Sequence, residues 1–94
     1  MSKLDDRLAE LGLSIPPVAK PVAAYVPAVI TGNLVYTSGQ IPFVDGVLQA
    51  TGKVGAEIDP DAAKALAATC VLNGLAAAHS VIGSLDRITR VVKI

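Results

Sequence analysis

The sequence predicts an α+β fold in which a long helix packs on a small sheet. Gly32-Asn33 is a turn signal between two apolar runs, which indicates a β-hairpin. Asp59-Pro60 is a strong helix start and is followed by a long, Ala-rich stretch. The chain is 52% hydrophobic but only 3% aromatic, so its core is expected to consist of thin layers of Ala, Val, Leu and Ile. The resulting order of helix, strand, strand, helix and strand indicates α+β.

The 94 residues allow one small domain with a modest core. We predict a short N-terminal helix and a Pro-rich connector over residues 1–22, and the sheet and main helix over residues 23–94. Leucines at helical spacing predict the short helix over residues 3–11, ending at Gly12. The prolines of residues 14–21 predict an extended connector.

Two hairpins are expected after the connector. The first strand is predicted over residues 23–31, where Pro27 is tolerated only at a sheet edge or a bulge. The second strand is predicted over residues 34–38. Asp45-Gly46 lies between two short apolar pairs and predicts the second hairpin.

The main helix is predicted from residue 60 to about residue 82, with Asp59 as N-cap and Gly83 at its end. At about 100° per residue, small residues gather on one face, which is expected to lie on the sheet. This face holds Ala63, Leu66, Ala67, Cys70, Gly74, Ala77, Ala78 and Val81. The outer side holds Lys64, Ala68, Leu72, Ala76 and His79.

Residues 88–94 alternate weakly and predict a final strand. The run is rich in β-formers and has no turn or polar tail after it. A strand needs partners, and natural domains rarely stop inside an apolar one. We therefore expect the chain to be the first part of a longer protein.

The composition argues against nucleic acid and membranes as partners. Net charge is zero, and with three aromatic residues a base-stacking platform is not expected. Residues 65–85 carry no charge and are long enough to cross a bilayer, but polar residues interrupt them, which favours a buried amphipathic helix. The first residues do not have the pattern of a signal peptide, so a cytoplasmic location is expected. A chain this apolar is expected to hide surface in an oligomer.

The most informative segment runs from Gly32 to Pro42. Its strand ends at Ser38-Gly39-Gln40, which places a hydroxyl, a bare backbone and an amide together. A glycine between polar side chains at a strand end often lets a ligand approach the backbone. A plain hairpin with a bulge explains the same pattern, and Ser38 then caps backbone groups.

This segment resembles the signature of the YjgF/RidA family, some members of which carry the label endoribonuclease L-PSP. The likeness covers roughly residues 20–94 and favours the longer members with an N-terminal helix. The matching positions are Tyr25, Ala28-Val29, Gly32 to Val35, Ser38 to Pro42, Asn73, Leu85-Asp86, Val91 and Lys93. The resemblance implies a chorismate-mutase-like fold, a homotrimer with ligand clefts between subunits, and further strands and a helix beyond Ile94.

The resemblance also implies a function, namely hydrolytic deamination of reactive 2-imino or enamine acids without a cofactor. Tyr25 matches the family's pocket-lining tyrosine, and Ser38, Gly39 and Gln40 match its pocket wall. The family's substrate-gripping Arg and water-handling Glu lie in its C-terminal portion and match no position here. In place of the usual serine after the tyrosine, this chain has Val26. A non-catalytic trimer that binds a small molecule and an endoribonuclease remain as alternatives.

Other candidate residues have ordinary structural explanations. Asn73, on the margin of the buried helix face, is expected to satisfy backbone groups. His79 is expected to be solvated, and the single Cys70, which excludes an internal disulfide, to be an inert thiol. Arg87 and Arg90 belong to the turn after the helix. The carboxylates Glu57, Asp59 and Asp61 are explained by the helix start and are not interpreted as an acid–base pair. The sequence shows no metal-ligand spacing.

Overall fold

The computed structural model of the chain describes residues 2–18 and 24–94 and confirms the α+β class. Its two hairpins form separate two-stranded antiparallel sheets, β1 with β2 and β3 with β4. The long helix α2 packs against β1, β2 and β3. In chain order the elements are α1 (Lys3–Glu10), β1 (Ala28–Thr31), β2 (Leu34–Thr37), β3 (Phe43–Val44), β4 (Val47–Leu48), α2 (Pro60–Ile82) and a 3₁₀ turn (Leu85–Arg87).

Both hairpin turns form where the sequence predicts them. Gly32 has φ +58°, whereas its neighbour Asn33 does not enter the positive region, which is the pattern of a type II′ turn. Asp45 and Gly46 both have positive φ, at 52° and 79°, which is the pattern of type I′. These turns match the twist of the flanking strands, so they also fix the register in each sheet.

The long helix α2 begins and ends as predicted. The Asp59 carboxylate accepts a hydrogen bond from the Ala62 N–H at 2.9 Å, and Pro60 occupies the first turn. Gly83 ends the helix with φ +80°. By length and apolar composition α2 could cross a bilayer, but the core helices of soluble proteins meet the same criterion.

The buried face of α2 differs from the predicted one. Ala76, which was predicted on the outer side, is buried, whereas Ala67 and Val81 from the predicted inner face are exposed. The buried face is centred on Asn73 because the backbone of the segment before β3 lies against that amide. Alanines occur on most sides of α2, so hydrophobic periodicity alone could not predict which side faces the sheet.

The short helix α1 is held at its N-terminus by side chains near and far in sequence. The Ser2 hydroxyl accepts a hydrogen bond from the Asp5 N–H, which forms a capping box. From the 3₁₀ turn, the Asp86 carboxylate accepts hydrogen bonds from the N–H groups of Lys3 at 2.9 Å and Leu4 at 3.0 Å. These hydrogen bonds, of which the one from the Lys3 N–H has the larger effect, hold the pKa of Asp86 below its usual range. Asp86 therefore fastens α1 to the end of α2.

Three predicted boundaries are corrected by the structure. The short helix ends at Glu10, with residue 11 as its cap, the first strand begins at Ala28 instead of residue 23, and the second strand ends at Thr37 instead of residue 38. Pro27 belongs to the predicted first strand but lies just before β1 in the structure. Its missing N–H therefore removes no hydrogen bond between β1 and β2. Residues 19–23, which include part of the predicted connector, lie outside the described residues.

The predicted final strand is wrong for this structure. Residues 88–94 belong to no helix or strand, and Val91, Val92 and Ile94 are exposed. A β-rich run becomes a strand only when another strand satisfies its backbone groups. Within residues 2–18 and 24–94, no strand pairs with it.

Candidate functional site

The candidate site lies where β2 ends. The Ser38 N–H donates a hydrogen bond to the Pro27 carbonyl oxygen at 2.9 Å, and the Ser38 hydroxyl donates to the same oxygen at 3.3 Å. These bonds continue the β1–β2 pairing one step past Ala28 and Thr37. The backbone-capping interpretation of Ser38 is therefore confirmed.

The same pairing brings the predicted site residues to one end of the hairpin. In an antiparallel pair, the chain that enters β1 meets the chain that leaves β2. Tyr25 precedes Pro27 by two positions, so it enters at the end where Ser38, Gly39 and Gln40 leave. Tyr25 is 42% exposed, which leaves its ring available to a ligand or to another subunit.

Gln40 is placed by both its own backbone turn and α2. Its side-chain Nε2 donates a hydrogen bond to the Ser38 carbonyl oxygen at 3.2 Å. Its Cγ would lie 3.8 Å from a Cβ added at Gly74, so the stem of Gln40 runs past the smallest residue of the helix. Gln40 is half-buried, whereas Gly39 beside it is exposed.

Asn73 anchors the segment that follows Gln40. Its Nδ2 donates one hydrogen bond to the Ile41 carbonyl oxygen at 3.2 Å and another to that of Phe43 at 3.0 Å. The side chain is only 3% exposed. The prediction that Asn73 satisfies backbone groups is confirmed, but the sequence did not show that these groups adjoin the site. An asparagine within an Ala-rich helix was the available signal.

The four predicted residues keep hydrogen-bonding groups that are not used within the chain. The Ser38 oxygen keeps lone pairs, Gln40 keeps its Oε1 and one N–H, and Tyr25 contributes a hydroxyl and a ring face. Gly39 leaves room beside the backbone. None of the four carries an amine, a guanidinium, an imidazole or a carboxylate. We call Tyr25, Ser38, Gly39 and Gln40 the site wall.

The remaining candidates lie outside the site wall, as predicted. Arg87 donates to the Ile82 carbonyl oxygen at 2.9 Å and so caps the end of α2. Cys70 is half-buried, and burial raises the pKa of its thiol, which makes it a poor nucleophile. His79 is exposed.

The carboxylates near the start of α2 also have structural roles. Asp59 caps the helix, and the Glu57 carboxylate accepts a hydrogen bond from the Lys53 N–H at 2.8 Å and closes the preceding loop. In the part of the chain that the structure describes, no group of three His, Cys, Asp or Glu side chains could hold a metal ion.

Comparison with known proteins identifies the relatives of this fold. The model of the family described as "YjgF/chorismate mutase-like, putative endoribonuclease" matches residues 5–94. Protein TCP17 of Trypanosoma cruzi is 36% identical over 87 residues, which are 93% of this chain and 54% of that protein.

Two crystal structures share the fold. One, described as a "putative endoribonuclease" from Shewanella oneidensis, has a TM-score of 0.85 and 32% identity over 92% of this chain and 57% of its own. The other, Atu1372 from Agrobacterium tumefaciens, is described as having unknown function; it has a TM-score of 0.82 and 42% identity over 95% of this chain and 54% of its own. The chain thus spans about half the length of these relatives.

Proposed function

Because the chain belongs to the YjgF/chorismate-mutase-like family, we propose that its site wall binds small 2-imino or enamine acids for hydrolytic deamination. The observation that carries the proposal is the gathering of Tyr25 and the Ser38–Gln40 segment at one end of the hairpin, with neutral donors and acceptors beside an exposed glycine. We place this activity in the cytoplasm, without nucleic acid or membrane as a partner.

In the proposed reaction, water adds to the imine carbon and the resulting carbinolamine releases ammonia, which leaves a 2-oxo acid. Tyr25 covers the substrate, while Ser38 and Gln40 exchange hydrogen bonds with it. Because hydrolysis transfers no electrons, the proposal includes no cofactor.

Two requirements of this reaction lie beyond the site wall. A bidentate cation must hold the substrate carboxylate, and a further group must activate the water. The resemblance implies an Arg and a Glu in the C-terminal portion of family members for these roles. We assign neither role to Arg7 or Arg87, which bind Glu10 and the end of α2.

A homotrimer with clefts between subunits forms part of the proposal. The β1–β2 hairpin packs against α2, and Ala28 is buried. Side chains alternate between the two faces of a strand. The opposite face carries Val29 at 47%, Leu34 at 38% and Tyr36 at 55% exposure. Val29 and Tyr36 are direct partners across the hairpin, so they form a continuous apolar patch. We name Val29, Leu34 and Tyr36 the outer patch, and a second copy of the chain is its proposed occupant.

Endoribonuclease activity is the second candidate, favoured by the description of the family and of the Shewanella relative. The zero net charge and 3% aromatic content of the chain weigh against it, because RNA binding usually relies on cationic grooves and stacking rings. A trimer that only binds a small molecule is the third candidate, and it requires no water-activating group.

One assay distinguishes these candidates. The full natural protein is supplied with 2-imino acids generated in situ, and ammonia release is measured together with a carbonyl trap. Tyr25→Ala is expected to lower kcat/KM about tenfold, since an aromatic contact contributes about 0.5–1.5 kcal/mol beyond its area burial. Tyr25→Phe, the matched control, keeps the ring and isolates the hydroxyl.

The outcomes are separable. Turnover that depends on Tyr25 supports the deaminase, and binding without turnover supports the non-catalytic trimer. RNA cleavage that is lost in both Tyr25→Ala and Ser38→Ala, without imine turnover, would replace the proposal with the endoribonuclease.

A further inference from the structure

Among the described residues, Asn73 is the one buried residue that is polar or charged. It occupies the centre of the buried face of α2. A buried amide without hydrogen-bond partners would destabilise the folded chain, so the groups that Asn73 contacts make its burial possible. Both contacts of its Nδ2 go to carbonyl groups of one short segment, at Ile41 and Phe43. Asn73 therefore binds backbone that comes directly after the site wall.

The segment from Ser38 to Pro42 has no regular secondary structure of its own. At its start, Ser38 is tied to Pro27 by two hydrogen bonds. At its end, Asn73 holds the carbonyl groups of Ile41 and Phe43. Gly39 and Gln40 lie between these anchors.

The next residue of the helix supports the same arrangement. Gly74 follows Asn73 and leaves space for the stem of Gln40, whose Cγ would lie 3.8 Å from a Cβ at that position. The Asn73 amide thus binds the Ile41 carbonyl oxygen, and Gly74 lies beside the side chain of the preceding residue, Gln40. A displacement of this segment relative to α2 would move Gln40 directly.

We propose that Asn73 is a positioning residue, which sets the distance of Gly39 and Gln40 from Tyr25 and Ser38 by clamping the Ile41–Phe43 backbone. This inference rests on the proposed function of the site wall. Asn73 itself touches no substrate and acts through the main chain. Enzymes are sensitive to such placement, since a misplacement of about 1 Å can cost about a hundredfold in rate.

The test uses two near-isosteric variants in the full natural protein. Asn73→Asp replaces the donor with a second oxygen that faces the two carbonyl groups. Asn73→Leu removes both hydrogen bonds and keeps a side chain of similar size. Ala68→Asp adds the same charge to an exposed position of the same helix and is the matched control. Leu85→Val perturbs the buried core away from the site wall and controls for lost stability.

Two readouts are taken well below the melting temperature of every variant. The first readout is kcat and KM for the imino acid, measured separately. We expect kcat/KM to fall about ten- to a hundredfold in both Asn73 variants and to equal that of the natural protein in the two controls. The second is the ¹⁵N order parameter of Gly39 and Gln40, which we expect to fall from about 0.85 to below about 0.6.

The two readouts separate this inference from the proposed function. If the natural protein turns over no imine but the order parameters fall in the Asn73 variants alone, the proposed function fails and the positioning role stands. Unchanged order parameters and an unchanged kcat/KM in a folded Asn73→Leu protein would overturn the positioning role, even if imine turnover is confirmed in the natural protein. Equal losses in Leu85→Val would also overturn it.

Discussion

The outer patch offers the sharpest quantitative prediction, because its largest member is well exposed in a single chain. An aromatic side chain buries about 150–250 Å². The 55% exposed fraction of Tyr36 therefore corresponds to roughly 80–140 Å² that a second copy could cover. At about 25 cal/mol per Å², covering it contributes about 2–3.5 kcal/mol for each subunit.

Replacing Tyr36 with Ser should therefore weaken self-association by roughly 30- to 300-fold for each contact that the residue makes. The assay is sedimentation velocity of the full natural protein over a dilution series. Because the proposed clefts lie between subunits, imine turnover should fall over the same concentration range as the oligomer.

The control for this prediction is Val54→Ser, which removes an apolar side chain that is also well exposed (65%) from the loop before α2. It should leave the oligomer unchanged. Identical dissociation of Tyr36→Ser and the natural protein at every concentration would refute the assignment of the outer patch to a second copy. Equal weakening by Val54→Ser would refute its specificity.

Three further substitutions test the packing around the site. Asp86→Asn should lower the melting temperature at neutral pH; because the pKa of Asp86 is depressed from its ordinary value of 3.8, the gap to the natural protein should close as pH falls below about 4, and a gap that stays constant to pH 2.5 would contradict this. Gly74→Ala should raise the free energy of unfolding by about 0.5–1 kcal/mol in urea melts, because the new Cβ makes only an ordinary contact with Gln40; destabilisation would show that the helix and that side chain lie closer than described. Leu85→Ala should lower the same free energy by about 2–5 kcal/mol, since Leu85 is fully buried, and a loss below about 1 kcal/mol would contradict its place in the core.

The features that the sequence predicted well are those fixed by local chemistry. Gly32 and the Asp45-Gly46 pair require turn conformations that few other residues adopt, and both turns formed there. Asp59 and Pro60 likewise determine the start of α2 through contacts within one turn of helix. Such signals need no knowledge of the rest of the fold.

The features that escaped prediction depend on distant parts of the chain. Asp86 contacts α1 across more than eighty positions of sequence, and no periodic pattern marks such a bond. The rotation of α2 follows from what Asn73 binds, because alanines around the helix make its faces nearly equivalent. The 88–94 run has the composition of a strand, but composition cannot supply a partner.

For the site, the sequence indicated the residues and the structure supplied their arrangement. Ser38 and Gln40 both use hydrogen-bonding capacity within the segment, and their unused atoms are the ones available to a ligand. The placement of the segment by Asn73 could be seen only when the two carbonyl groups and the helix were brought together.

The central claim is that the site wall binds small imino acids, and the most direct test is a titration of the ¹⁵N-labelled full natural protein with a 2-oxo acid, the product of the proposed reaction. The account predicts saturable shifts of the amide signals of Ser38, Gly39 and Gln40, with a midpoint that moves to about tenfold higher ligand concentration in Tyr25→Ala. Saturable shifts confined to residues elsewhere, or no shifts at millimolar concentrations of several 2-oxo acids, would contradict it.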